Sequence, residues 1–171
     1  MEVTTFEREA GFTTATTTRQ LDHPAAAVWR MIAEPARVAE WLAPGRIEQR
    51  LGGTVRLDFA DSGTVIESAV SAFEDGRLVA FSWSKPGEPP RPVRIALSPD
   101  GAATTLTLTV KTPDGEDPAR AAAGWAAHLV MLEAALAGAP IGFPFETFRA
   151  AREANKGKVA ALGPGRGEAS A

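Results

Sequence analysis

The sequence predicts an α+β protein in which a curved antiparallel sheet of six or seven strands wraps around one long C-terminal helix, with two short helices after the first strand. Three observations carry this reading. From Asp117 to Gly138, DPARAAAGWAAHLVMLEAALAG sets Trp125, Leu129, Leu132 and Leu136 at helical spacing, with Ala121 and His128 on or beside the same stripe. In the middle of the chain the apolar period drops to two, as in Val55, Leu57 and Phe59 and again in Leu106, Leu108 and Val110. Hairpin-length turns join these strands, which implies a single antiparallel sheet.

Each element has its own local reason. Residues 1–11 are polar and aperiodic and read as a flexible lead-in. FTTATTTRQL, from Phe12 to Leu21, is threonine-rich and reads as a strand. Asp22-His23-Pro24 opens a short helix whose Val28, Trp29 and Ile32 share a face; Pro35 ends it, because proline cannot continue a helix interior. ARVAEWL forms the second short helix and stops at Pro44-Gly45. Arg46 to Leu51 is a candidate strand, Gly52-Gly53 a turn, and Thr54 to Ala60 a half-buried strand. After a turn at Asp61-Ser62-Gly63, the strands Thr64 to Phe73 and Arg77 to Ser84 are joined by Glu74-Asp75-Gly76, an Asp-Gly hairpin signal. KPGEPP is a loop by composition, and the Val93-Ile95-Leu97 and Leu106-Leu108-Val110 strands flank Pro99-Asp100-Gly101. Asp117 suits the N-cap of the long helix and Pro118 its first position, while Gly138-Ala139-Pro140 supplies the stop. At roughly 20 residues that helix is about 30 Å long. Residues 139–156 form an arm with Phe143, Phe145 and Phe148; it is predicted to be helical from about Pro144 to Asn155 and to pack on the body or on the second subunit of a homodimer. Residues 157–171 have the composition of a disordered tail, which leaves 12–138 as the folded domain.

Composition narrows the function. With 171 residues, 44% of them hydrophobic and 23% charged, the chain is the length of one globular domain. The absence of cysteine removes disulfides and thiolate chemistry, and two histidines are too few for an ordinary zinc site, so neither a metal nor another cofactor is expected. A net charge of -3 without a basic stripe argues against nucleic acid. No apolar run has membrane-spanning length and the N-terminus lacks signal-peptide blocks, so a cytoplasmic protein with no membrane partner is expected.

Taken in order, the opening strand with DHPAAAVWRMIAEPARVAEWLAP, the hairpin VIESAVSAFEDGRLVAFSW, the helix GWAAHLVMLEAALAG and the arm FPFETF resemble the helix-grip proteins of the START and birch-pollen-allergen superfamily. Within it they are similar to the activator of heat-shock protein 90 ATPase. The resemblance covers about Phe12 to Ala150. It implies a domain that binds a ligand or a partner, its members including lipid and hormone carriers, polyketide cyclases and aromatases, and chaperone activators. The chain lacks room for the further N-terminal domain of the eukaryotic activator, which makes a chaperone partner doubtful.

The candidate site residues follow from the pattern. His128 shares the inward stripe, where it is either a structural histidine bonded to backbone or hydroxyl, a polar contact for a ligand, or a general base. Trp83 and Trp125, on facing elements, are core or pocket wall, and Trp41 sits where the resembled family has its cavity mouth. Phe59, Phe81, Leu129 and Leu132 complete the candidate lining of a cavity for a small hydrophobic or aromatic molecule. Glu67 shares parity with Val65 and Phe73, so it enters the cavity if they do, with Arg94 or His128 as its partner; with Ile66 and Val70 inward instead, Glu67 meets water. No nucleophile–base pair, phosphate loop or paired-carboxylate site is present in the pattern, so no catalytic residue is assigned. The alternatives to a binding module are a polyketide cyclase-like enzyme and a chaperone ATPase co-factor.

Overall fold

The computed structural model describes residues 2–163. Among these, nine strands form two antiparallel sheets and four helices pack on them. The main sheet has the order β1-β2-β9-β8-β7-β6, from Glu2–Glu9, Phe12–Leu21, Ala103–Pro113, Pro92–Asp100, Leu78–Ser82 and Ala72–Glu74. The smaller sheet is β3 (Gly45–Ile47), β4 (Thr54–Phe59) and β5 (Thr64–Ala69). Helices α1 (Ala25–Ala33) and α2 (Pro35–Trp41) follow β2, and the long helix α3 (Pro118–Leu136) and the arm helix α4 (Phe145–Ala160) close the chain. This is the helix-grip arrangement.

The core follows from strand alternation. Ile95 faces Leu108 and Leu97 faces Leu106 across β8 and β9, and Val79 and Phe81 extend the same inner face onto β7. Against it lie Leu129 and Leu132 of α3, 1% and 0% exposed, so no space remains beneath this part of the helix. Alanines Ala119, Ala122, Ala123 and Ala127 are buried on the same helix. α3 is therefore apolar on more than one face because it is covered on two sides, by the sheet and by α4.

Three expectations need correction. The lead-in is a strand: Glu2–Glu9 pairs with β2 from Glu2↔Arg19 to Glu9↔Phe12. Its partly buried face carries Phe6 as its one apolar residue beside two polar ones, with the Thr4 and Thr17 hydroxyls 2.9 Å apart and Glu2 ion-paired to Arg19, so no apolar alternation announces it. Second, the single sheet is split. The stretch Thr64 to Phe73 breaks after Ala69, where Val70 exchanges backbone bonds of 2.8 Å with Gly52 and Gly53 instead of continuing a ladder. A Cβ on Gly53 would come within 2.8 Å of Glu48 Cβ, so the close approach needs glycine. The candidate strand Arg46 to Leu51 shortens to Gly45–Ile47 for the same reason: its remainder forms the turn. Third, α4 runs to Ala160, past the start of the predicted tail at 157, held by Asn155 Nδ2 donating to Ala119 O (3.3 Å) and Lys158 Nζ to Thr4 O (3.0 Å). Residues 164–171 of that tail lie outside the described residues. The arm itself packs against α3 and β1 of its own chain.

Helix boundaries match their local chemistry. The Asp117 carboxylate accepts from Arg120 N (3.1 Å) as N-cap, and Pro118 occupies the first turn. Gly138, with φ of 80°, ends α3 in the left-handed region. The connection to α4 then alternates glycine and proline through Gly138, Pro140, Gly142 and Pro144.

Candidate functional site

A chain of side-chain caps ties the helices together and fixes the site. The last carbonyls of a helix lack intrahelical donors. In α1 the Met31 carbonyl is met by the indole N–H of Trp41 at 2.7 Å, and at the end of α2 the Trp41 carbonyl is met in turn by Nδ1 of His128, also at 2.7 Å. His128 is thus structural, bonded to backbone. Burial lowers its pKa from the ordinary 6.5, only partly offset by the bond to Trp41, so the ring is neutral at pH 7.

Beside this histidine a cleft of about 700 Å³ opens at the N-terminal half of α3. One wall is Ala121, Gly124, Trp125 and His128 of α3; the second is Trp83 and Arg91, which bracket the β7–β8 loop; the third is the end of β9; and Phe143, Phe145 and Phe148 of the arm cover it. The rings meet edge to face: Trp83–Trp125 at 4.8 Å between centroids, Phe59–Trp83 at 5.6 Å and His128–Phe143 at 5.5 Å. Gly124 stands mid-helix, where glycine costs about 1 kcal/mol against alanine. A Cβ there would meet nothing within 4 Å, so its missing side chain enlarges the cleft rather than relieving a clash.

Charge is confined to the rim. Arg91 forks onto Glu116, Nε to Oε1 at 2.7 Å and Nη2 to Oε2 at 3.0 Å, and donates from Nη1 to Trp83 O at 3.3 Å. The bidentate pair holds the Glu116 carboxyl below the usual range and raises the guanidinium, and it clamps the β7–β8 loop to the segment before α3. Asp117, besides capping α3, accepts from Arg152 of α4 at 3.3 Å. Lys111 pairs with Glu9. Both rim carboxylates are thus engaged by arginine.

The predicted residues separate into groups. Trp83, Trp125 and His128 line the cleft. Phe59 stands behind them, its ring 6.0 Å from His128. Four further candidates do not line it either. Phe81, Leu129 and Leu132 belong to the packed core, and Trp41 is 0% exposed with its indole bound to backbone, so it gates nothing. The polar candidates fail as well. Glu67 is exposed because Ile66 and Val70 are the buried residues of that stretch, and Arg94 points outward between buried Val93 and Ile95. Arg91, Glu116, Gly124 and the arm phenylalanines were not among the predicted lining residues. FPFETF and the mid-helix Gly-Trp pair were the available signals, but their position over the cleft depends on how the chain turns at Gly138.

The fold and cleft together define a helix-grip protein of the START-like superfamily. The chain belongs to the family described as activator of Hsp90 ATPase homolog 1-like proteins, whose model matches residues 22–137. No curated protein matches it. Among solved structures, CalU16 from Micromonospora echinospora shares 22% identity and superposes with a TM-score of 0.76, covering 93% of this chain and 97% of that one. The BPP1335 protein of Bordetella parapertussis is 27% identical with a TM-score of 0.69, covering 88% and 87%. DynU16, a protein of the dynemicin biosynthetic locus, is 27% identical with a TM-score of 0.64, covering 74% of this chain and 48% of that one, so this chain spans about half of it. No helix among the described residues is long and apolar enough to cross a membrane.

Proposed function

We propose that the protein binds a small, flat, largely apolar molecule in the cleft between the N-terminal half of α3, the β7–β8 loop and the aromatic arm. The observation that carries this is the unfilled space beside Trp83 and Trp125, widened by Gly124 in a helix where most other residues would have filled it. A volume of about 700 Å³ suits a molecule of one to a few rings. Membership of a ligand- and partner-binding superfamily and the likeness to DynU16, a protein of a biosynthetic locus, support the same reading.

Native mass spectrometry of protein taken from its own host should find a non-covalent adduct. Gly124→Leu, which projects a side chain into the cleft, should abolish the adduct while the circular-dichroism spectrum is unchanged. An adduct that survives Gly124→Leu would sink the assignment to this cleft.

A cyclase-like enzyme is the second reading, favoured by one observation: His128 is a neutral imidazole on the cleft wall. Proton transfer by such a group also needs a second acid or base. Glu116 and Asp117 are the nearest carboxylates in the lining and both are bound by arginine, which favours binding over turnover.

A further inference from the structure

What the bound molecule must present to the inner end of the cleft can be read from the tautomer of His128. A neutral imidazole has one nitrogen that donates and one that accepts. The Trp41 carbonyl can only accept, so at 2.7 Å the hydrogen belongs on Nδ1. Nε2 then carries a lone pair. Among the described residues no protein group hydrogen-bonds Nε2, nor is it among the fully enclosed polar atoms that lack a partner. The ring lies on the cleft wall, bordered by Phe59, Trp83, Trp125 and Phe143, so an acceptor opens onto an otherwise aromatic surface.

We propose, on the ligand-binding reading above, that His128 makes the cleft selective for flat aromatic molecules whose buried edge carries a hydrogen-bond donor, such as a phenolic hydroxyl or a ring N–H. A ligand with an ether or carbonyl at that edge sets lone pair against lone pair. The tautomer cannot switch to suit it, because moving the hydrogen to Nε2 turns the Nδ1 lone pair on a buried carbonyl oxygen and strands both. A donor ligand, in contrast, completes the chain of caps that begins at Met31: each acceptor in turn meets its hydrogen.

The test compares 2-naphthol, 2-methoxynaphthalene and naphthalene, matched in shape, titrated into the full-length wild-type protein at pH 7 by NMR. Selectivity predicts that 2-naphthol binds about tenfold more tightly than 2-methoxynaphthalene, the worth of one net hydrogen bond. Equal affinities for the three probes would leave the cleft a binding site and overturn the selectivity. No binding by any of them would overturn the ligand-binding reading, and the proposal with it. His128→Asn supplies an independent check, since its amide N–H can still face the Trp41 carbonyl while the shorter side chain withdraws the acceptor from the position of Nε2. The variant should bind 2-naphthol and naphthalene alike, and a tenfold preference that persists in it would place the acceptor elsewhere and overturn the role of His128. The wild-type ratio decides the matter even if the variant does not fold.

Discussion

Nδ1 of His128 meets a carbonyl at the end of a seven-residue helix that is buried against the core, and the consequences are measurable. Replacing the ring by leucine removes the donor and leaves the Trp41 carbonyl without a partner, which should cost about 1–3 kcal/mol in a denaturant titration. The same ring sets a pH dependence. Its pKa is depressed in the folded state from 6.5, so between the folded value and 6.5 the unfolded chain binds more protons. The contribution is therefore complete above about pH 6.5 and is lost as the pH falls toward the folded value. Wild-type protein should lose stability between pH 7 and pH 5.5 by more than His128→Leu does, as followed by thermal melting at the two pH values. Parallel losses would show that the imidazole is not the group responsible. At this scale the sequence placed His128 on the right stripe but left its role open, because the partner is a backbone carbonyl 87 residues away and carbonyls have no letter.

At the level of elements, α3 serves two purposes that its sequence mixes. Its C-terminal half is packed on the sheet, while its N-terminal half forms a cleft wall and sacrifices helix propensity at Gly124. Gly124→Ala should stabilise the protein by about 0.5–1 kcal/mol in chemical denaturation, because a methyl group there meets no neighbour and glycine is the weaker helix former. A loss of stability would mean that glycine answers a backbone demand instead. The alternating strands, the Asp-Gly hairpin and the Asp117 cap were all legible, since each rests on residues close in sequence. The first strand was not, because Glu2, Thr4 and Arg8 satisfy polar partners on β2 and α4 and leave no period-two hydrophobic trace. The split in the sheet at Val70 was equally hidden, as it depends on a turn at Gly52-Gly53 about twenty residues earlier.

For the whole molecule, the division of labour between core and cleft explains why the site was only half readable. The inward stripe of Trp125, His128, Leu129 and Leu132 was correct as a stripe, yet Leu129 and Leu132 are packed in the core and only Trp125 and His128 border the cleft. Leu132→Ala should therefore lower stability by about 2–5 kcal/mol, as for a fully buried leucine, and leave the affinity for a cleft ligand nearly unchanged in the same titration. A large affinity change would mean that cleft and core are one cavity. The connection between the two long helices bears on a different quantity, which is time. From Pro140 to Phe143 it makes no backbone hydrogen bond to the rest of the protein among the described residues, and Phe143 rests on the site by ring contacts. The strap borders the cleft through Phe143 and Phe145, so a guest is expected to arrive and depart past it. Its dwell time then reflects the strap's opening frequency more than its own grip, and Phe143→Ala, in stopped-flow mixing, should raise the on-rate and the off-rate by more than it alters their ratio.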